Sequence, residues 1–140
     1  MKATTNDIIT AWYNLLNGQV GTGVEVYVED APENPSLNYV LLRAEGGTGD
    51  NTKQYFADNI VVITDIVTTF ENNIDRSVCE TIDNTICQLI LPTRQNELTK
   101  PSGLQIHNVE RENYDYLYEF DGVKKYYRKV SRWNQYVFQQ

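Results

Sequence analysis

Ile8, Ile9, Ala11, Trp12, Leu15 and Leu16 fall on one stripe when residues 5–17 are wound at about 100° per residue, with Asn6, Asp7, Thr10 and Asn14 opposite. That spacing predicts an amphipathic helix. Thr4 or Thr5 can cap its start, Asp7 suits the electropositive first turn, and Gly18 stands where a helix commonly ends. The period then changes. Val24-Glu25-Val26-Tyr27-Val28 alternates, which predicts a strand with its three valines on one face. Pro32 and Pro35 interrupt regular structure, so residues 29–36 read as an acidic surface loop before a second strand at 37–43. Residues 45–51, with Gly46, Gly47 and Gly49, read as a flexible connection.

The run from Phe56 to Phe70 is dense in β-branched residues, which disfavours a helix. Ile60, Val62 and Ile66 fall on one face and Val61, Ile63 and Val67 on the other, so a central strand covered on two sides is expected. The helical period returns at 77–91, where Val78, Cys79, Ile82, Ile86, Leu89 and Ile90 form a stripe with Cys87 at its flank. Ser77 and Glu80 have the spacing of a capping box, and Pro92 stops the helix before a loop at 92–103. Two long strands follow, about 104–120 and 123–139, joined at Asp121-Gly122, a strong hairpin signal. The order is α-β-β-β-α-β-β. It predicts an α+β fold: one mainly antiparallel sheet packed against two helices, with a long C-terminal β-hairpin. At 140 residues the chain is a single domain, 1–140, large enough to bury a core without disulfides or a structural metal.

The net charge of −7 says more once it is divided. Residues 1–121 hold all 19 acids and seven bases, a net −12, while Lys124, Lys125, Arg128, Lys129 and Arg132 give residues 122–140 a net +5. The overall acidity disfavours a protein that grips phosphates with its whole surface. The longest apolar run is four residues, Ile60 to Ile63, against the roughly 20 that span a bilayer, and no membrane partner is expected. The polar start Met1-Lys2-Ala3-Thr4 is unlike a secretory signal, and the one glycosylation-like triplet, Asn34-Pro35-Ser36, is blocked by its proline. The chain reads as intracellular or virion-assembled. Cys79 and Cys87 are separated by about 12 Å of helix rise, beyond the ~7 Å that a disulfide spans, so both read as packing residues.

No pattern carries catalysis, and no catalytic, cofactor-binding or metal-ligating residue is assigned. Gly46-Gly47-Thr48-Gly49-Asp50 lacks the lysine and the following helix that a phosphate loop needs, and Asp50 would repel a phosphate. His107 is the only histidine, and neither CxxC nor HExxH occurs. Cys79 and His107 make a thiol and base only on paper. Glu110 and Glu112 on one strand face, and Asp115 and Glu119 on the other, read as solvated edge charges rather than an acid–base couple.

The closing hairpin is more informative. Tyr114, Tyr116 and Tyr118 share a face, and tyrosine suits a subunit interface; the same rings would also serve to cover the domain's own helices. Lys124, Arg128 and Arg132 share one parity, and Lys125 and Lys129 the other. They can pair with the acidic strand 110–121, or with a neighbouring subunit's acidic loop 25–33. Interleaved with tyrosine and Trp133, they also fit an alternative function, a nucleic-acid-associated binding module.

From about residue 5 to 138 the chain resembles the tail-terminator and tail-completion proteins of tailed bacteriophages. The likeness lies in the order of elements: an amphipathic helix, Val26-Tyr27-Val28 with Ala31-Pro32 and Pro35 close behind, a short Tyr39-Val40-Leu41-Leu42 strand, a long Ile60–Val67 strand, the helix at 77–91 and a closing hairpin. The fold is similar to that of ring proteins in the necks of short-tailed phages. The resemblance implies a structural virion protein without enzymatic activity, assembled as a homo-oligomeric ring of six or twelve copies. It places that ring in the neck or at the head-proximal end of the tail, for head–tail joining or tail completion. Neighbouring portal-side or tail-side proteins would contact it, and DNA would pass through its lumen without sequence-specific binding. Assembly would occur in the host cytoplasm. The family carries over no catalytic or ligand-binding residue. Unlike patches close a ring when the rotation per subunit permits. The candidate patches are acidic Glu25, Glu29, Asp30 and Glu33, basic Lys124, Arg128 and Arg132, and aromatic Tyr114, Tyr116 and Tyr118.

Overall fold

The computed structural model describes residues 5–51, 56–90 and 104–139; the expectations for Thr4, Pro92 and the 92–103 loop lie outside them. The elements are α1 (Thr5–Leu16), β1 (Val24–Val28), β2 (Asn38–Asn51), β3 (Phe56–Phe70), α2 (Arg76–Ile90), β4 (Leu104–Phe120) and β5 (Lys125–Gln139). This is the expected order. The strands form one sheet, β1-β2-β3-β5-β4, in which β1 runs parallel to β2 and the other neighbours are antiparallel. The apolar run at 56–70 thus becomes the middle strand, and β4 and β5 form the closing hairpin.

Both helices lie on one face. Ile8, Ile9, Trp12 and Leu16 of α1 and Cys79, Ile82, Ile86 and Ile90 of α2 pack with Val26, Val40, Leu42, Ile60, Val62, Ile66, Trp133 and Val137. At its centre Trp12 and Trp133 meet with ring centroids 5.6 Å apart. Burying two indoles leaves two N–H donors to satisfy. Trp12 Nε1 donates to Gln135 Oε1 at 2.9 Å and Trp133 Nε1 to Thr64 Oγ1 at 3.0 Å, while Gln135 Nε2 donates to the Ile60 carbonyl. Thr64 and Gln135 are therefore polar residues in an apolar core for a definite reason.

Several local expectations change. Residues 45–51 are not a free connection: β2 continues to Asn51, with a bulge between Glu45 and Thr48 and pairing from Thr48↔Asn59 to Asn51↔Phe56. Glycine has no side chain to show a period, but its backbone still completes the ladder offered by β3. The capping box is also replaced. Asp75 caps α2, accepting from the Ser77 amide at 3.0 Å and the Ser77 hydroxyl at 2.6 Å, and Glu80 turns elsewhere. Asp75 is held below the usual carboxylate range by those same two bonds. The hairpin turn is longer than Asp121-Gly122. Phe120 pairs with Lys125, and Asp121 Oδ1 accepts the amides of Val123 at 2.9 Å and Lys124 at 2.6 Å. Gly122 supplies the left-handed residue, φ 92°, that this four-residue turn requires.

Candidate functional site

The alternation of β5 sends Lys129, Ser131 and Trp133 toward the helices, opposite Tyr116, Tyr114 and Arg111 of β4. Lys129 is only 4% exposed, so its ammonium needs partners. It donates to Asp83 Oδ2 at 2.8 Å and Glu80 Oε2 at 3.1 Å, both on α2. Arg111 Nη1 reaches the two Asp83 oxygens at 3.0 and 2.9 Å, and the Tyr116 hydroxyl donates to Glu80 Oε1 at 2.6 Å. Burial is the largest single influence on the pKa of Lys129 and of Arg111 and pulls both down, but the hydrogen bonds and charges around them, Asp83 first, together outweigh it and leave both above their ordinary values. Glu80 is held below its usual range, first by the Tyr116 hydroxyl and then by Lys129 against the effect of burial; Tyr116 is raised by the same bond. Tyr114 and Tyr116 roof this cluster, with Lys129 Nζ 4.7 and 5.2 Å from their ring centroids and Tyr116 stacked on Tyr127 at 5.7 Å. The tyrosine face thus covers an ionic joint between hairpin and helix, while Tyr114, Tyr116 and Tyr118 still present exposed ring surface.

The other face carries charge across the strands. Asp65 of β3, 1% exposed, accepts from Arg43 Nη2 of β2 at 3.2 Å and from Arg128 of β5, whose Nε lies at 3.2 Å and whose Nη2 also donates to it. Arg128 Nη1 continues to Glu119 of β4 at 2.6 Å. Bonding to Asp65 raises the Arg128 pKa above its ordinary value against the effect of burial. A second line joins Glu45, Arg132 and, at 3.6 Å, Glu112. The register shift between Arg111 and Asn113 corrects the expected strand faces: Glu112 and Glu119 both reach arginines of this face rather than opposite ones. Two-sided cover of β3 is met differently from a second helical layer. Val61 and Val67 are buried, yet both helices pack on the opposite face.

The loop after β1 folds toward this face, fixed by the Ser36 amide donating to the Tyr27 hydroxyl at 3.3 Å. Pro32, Pro35 and Leu37 form one wall of a groove of about 600 Å3, with Leu41, Val67 and Tyr126 among the sheet residues beneath. Glu33 and Lys124 also line it. Glu25, Glu29, Asp30 and Glu33 are exposed, and neither they nor Lys124 and Lys125 form an ion pair among the described residues. Arg128 and Arg132 do, with Glu119 and Glu112 of the acidic strand, the first of the two uses expected for them.

Trp133 is fully buried and Lys129 nearly so, which removes from the surface two residues that nucleic-acid stacking on this strand requires. Cys79 is fully buried, and burial pushes its thiol up to about 12, so it remains protonated at neutral pH and makes a poor nucleophile. Gly46 to Gly49 lie within β2, so no helix follows to hold a phosphate. Among the described residues no group of three or more His, Cys, Asp or Glu side chains is placed to hold a metal ion. Sequence reasoning missed Asp65, Arg43 and Asp83. The signal was an acid inside an apolar run, Thr64-Asp65-Ile66, and another beside the buried stripe of a helix, Ile82-Asp83.

These features define an α+β domain, five strands under two helices, whose internal charges serve the fold and whose distinctive features lie on its surface. No protein-family model matches the chain, and no curated protein matches it. Among solved structures it is similar to a chain from the virion of a native gene transfer agent particle, over 96% of its own length and 99% of that chain, with a TM-score of 0.68 and 13% identity. At that identity the likeness is one of fold.

Proposed function

We propose that this chain is a structural, non-enzymatic virion protein of a phage-like particle, working as a homo-oligomeric ring in the neck or at the head-proximal end of the tail. The observation that carries the reading is the near end-to-end likeness to a chain of a gene transfer agent virion, which leaves almost none of either chain outside the shared fold. The order of elements along the sequence supports the finer placement. The surface supports assembly: apolar side chains stand exposed on the hairpin and the 28–37 segment, where a stable monomer would be expected to bury or disperse them. In the ring, DNA passes without sequence-specific contact, because an acidic chain repels phosphate and leaves it free to slide. A portal-side or tail-side ring contacts its ends. Negative-stain electron microscopy of the purified chain tests this directly. Annular particles with a central opening are expected; dispersed single domains at every concentration would contradict it.

A further inference from the structure

The turn between β4 and β5 is built as a knob. Val123, 75% exposed, and Phe120, 58% exposed, stand on a loop that Asp121 holds through the Val123 and Lys124 amides and the Tyr126 hydroxyl at 2.9 Å. Asp121 is held below the usual carboxylate range by those bonds, first the Lys124 amide and then that of Val123, so the turn stays fixed at neutral pH. A fixed apolar tip forfeits little conformational entropy on docking. The groove beneath the 31–37 loop is its counterpart: about 600 Å3, walled by Pro32, Pro35 and Leu37, with Leu41 and Val67 beneath. Charges match as well. Lys124 and Lys125 flank the tip, and Glu29, Asp30 and Glu33 flank the groove, all without an ion pair among the described residues.

We infer that subunits join by seating the hairpin turn of one copy, Phe120 to Lys125, in the groove under the 31–37 loop of the next. This rests on the assembly proposed above and names its joint. Arg128 and Arg132 serve the fold, and the steering charges are Lys124 and Lys125. The apolar tip, Phe120 and Val123, lines no part of the groove, although Lys124 beside it does, so each copy has one tip and one groove to offer, as a head-to-tail ring requires.

Two charge reversals test it. Lys124→Glu with Lys125→Glu places acids against Glu29, Asp30 and Glu33 at the groove's flank, and makes the groove itself more acidic because Lys124 also lines it, while Glu29→Lys with Glu33→Lys places bases against the basic tip. Each double variant alone is expected to associate at least about tenfold more weakly than the parent chain in sedimentation velocity. Mixed in equal amounts they are expected to assemble together, because every contact in an alternating assembly then joins opposite charges. Val123→Asp, at an exposed position that no core contact depends on, should weaken association without changing the melting temperature. Rings that form unchanged in all three variants would overturn the joint and leave the ring reading standing. A wild-type chain that stays monomeric overturns both; closed dimers abolished by Val123→Asp would uphold the joint and overturn the ring.

Discussion

Asp65 stands in the most apolar run of the chain and is the buried acid on which one face of the sheet is organised. Its two oxygens neutralise Arg43 and Arg128 from flanking strands, and neither arginine has another carboxylate as buried within reach. Replacing Asp65 by Asn leaves two guanidinium groups beside a neutral amide. We expect a loss of about 3 kcal/mol in urea unfolding, since a half-removed buried ion pair strands its charge; an unchanged midpoint would contradict this role. The parity of Ile60 to Val67 made both faces of this strand legible in the sequence. What filled the second face was not, because no spacing rule says that Arg43 and Arg128, 85 residues apart along the chain, converge on one carboxylate. Glu29 is similar: its left-handed φ of 67° is fixed by the turn where the Glu29 amide donates to the Leu42 carbonyl, a contact invisible along the chain.

The element that depends most on buried polarity is α2. Its apolar stripe places it on the sheet, and its orientation is set by Glu80 and Asp83 meeting Lys129, Arg111 and Tyr116 of the hairpin. Asp83→Ala should destabilise by about 3–5 kcal/mol, because two cations lose their deepest partner. Asp83→Leu combined with Lys129→Met and Arg111→Met, which removes both stranded cations, should recover much of that in the same denaturant titration; a triple variant as unstable as the single would show that packing rather than charge sets the cost. Glu80 gives a pH signature. Its folded pKa lies below the ordinary 4.5, so the unfolded chain binds the proton more readily. The stability it contributes is complete above about 4.5 and disappears as pH falls through the folded value. Glu80→Gln should therefore flatten the acid limb of the melting curve below pH 4.5 and leave the slope above it unchanged. The helix and strand periods were legible because burial imposes them. The cap was not, because Glu80 has a better partner in Tyr116 and Lys129 than in a backbone amide, and the extension of β2 was not, because the ladder is made by backbone atoms that glycine shares with every other residue.

At the scale of the molecule, dividing the charge into −12 and +5 located the asymmetry but not its use. Of the five bases, Arg128, Lys129 and Arg132 bind the hairpin to β2, β3 and α2 within one subunit, and Lys124 and Lys125 form no ion pair among the described residues. Composition cannot separate these two groups; only the register of β5 against β3 and β4 does. What remains outside the folded core is a fixed apolar turn, a groove with acidic flanks and a row of half-exposed tyrosines, the surface on which the proposed assembly rests. The most direct measurement is native mass spectrometry of the intact chain across a concentration series. A single closed species of six or twelve copies is the predicted result, and a spectrum of monomer alone at every concentration would contradict the account.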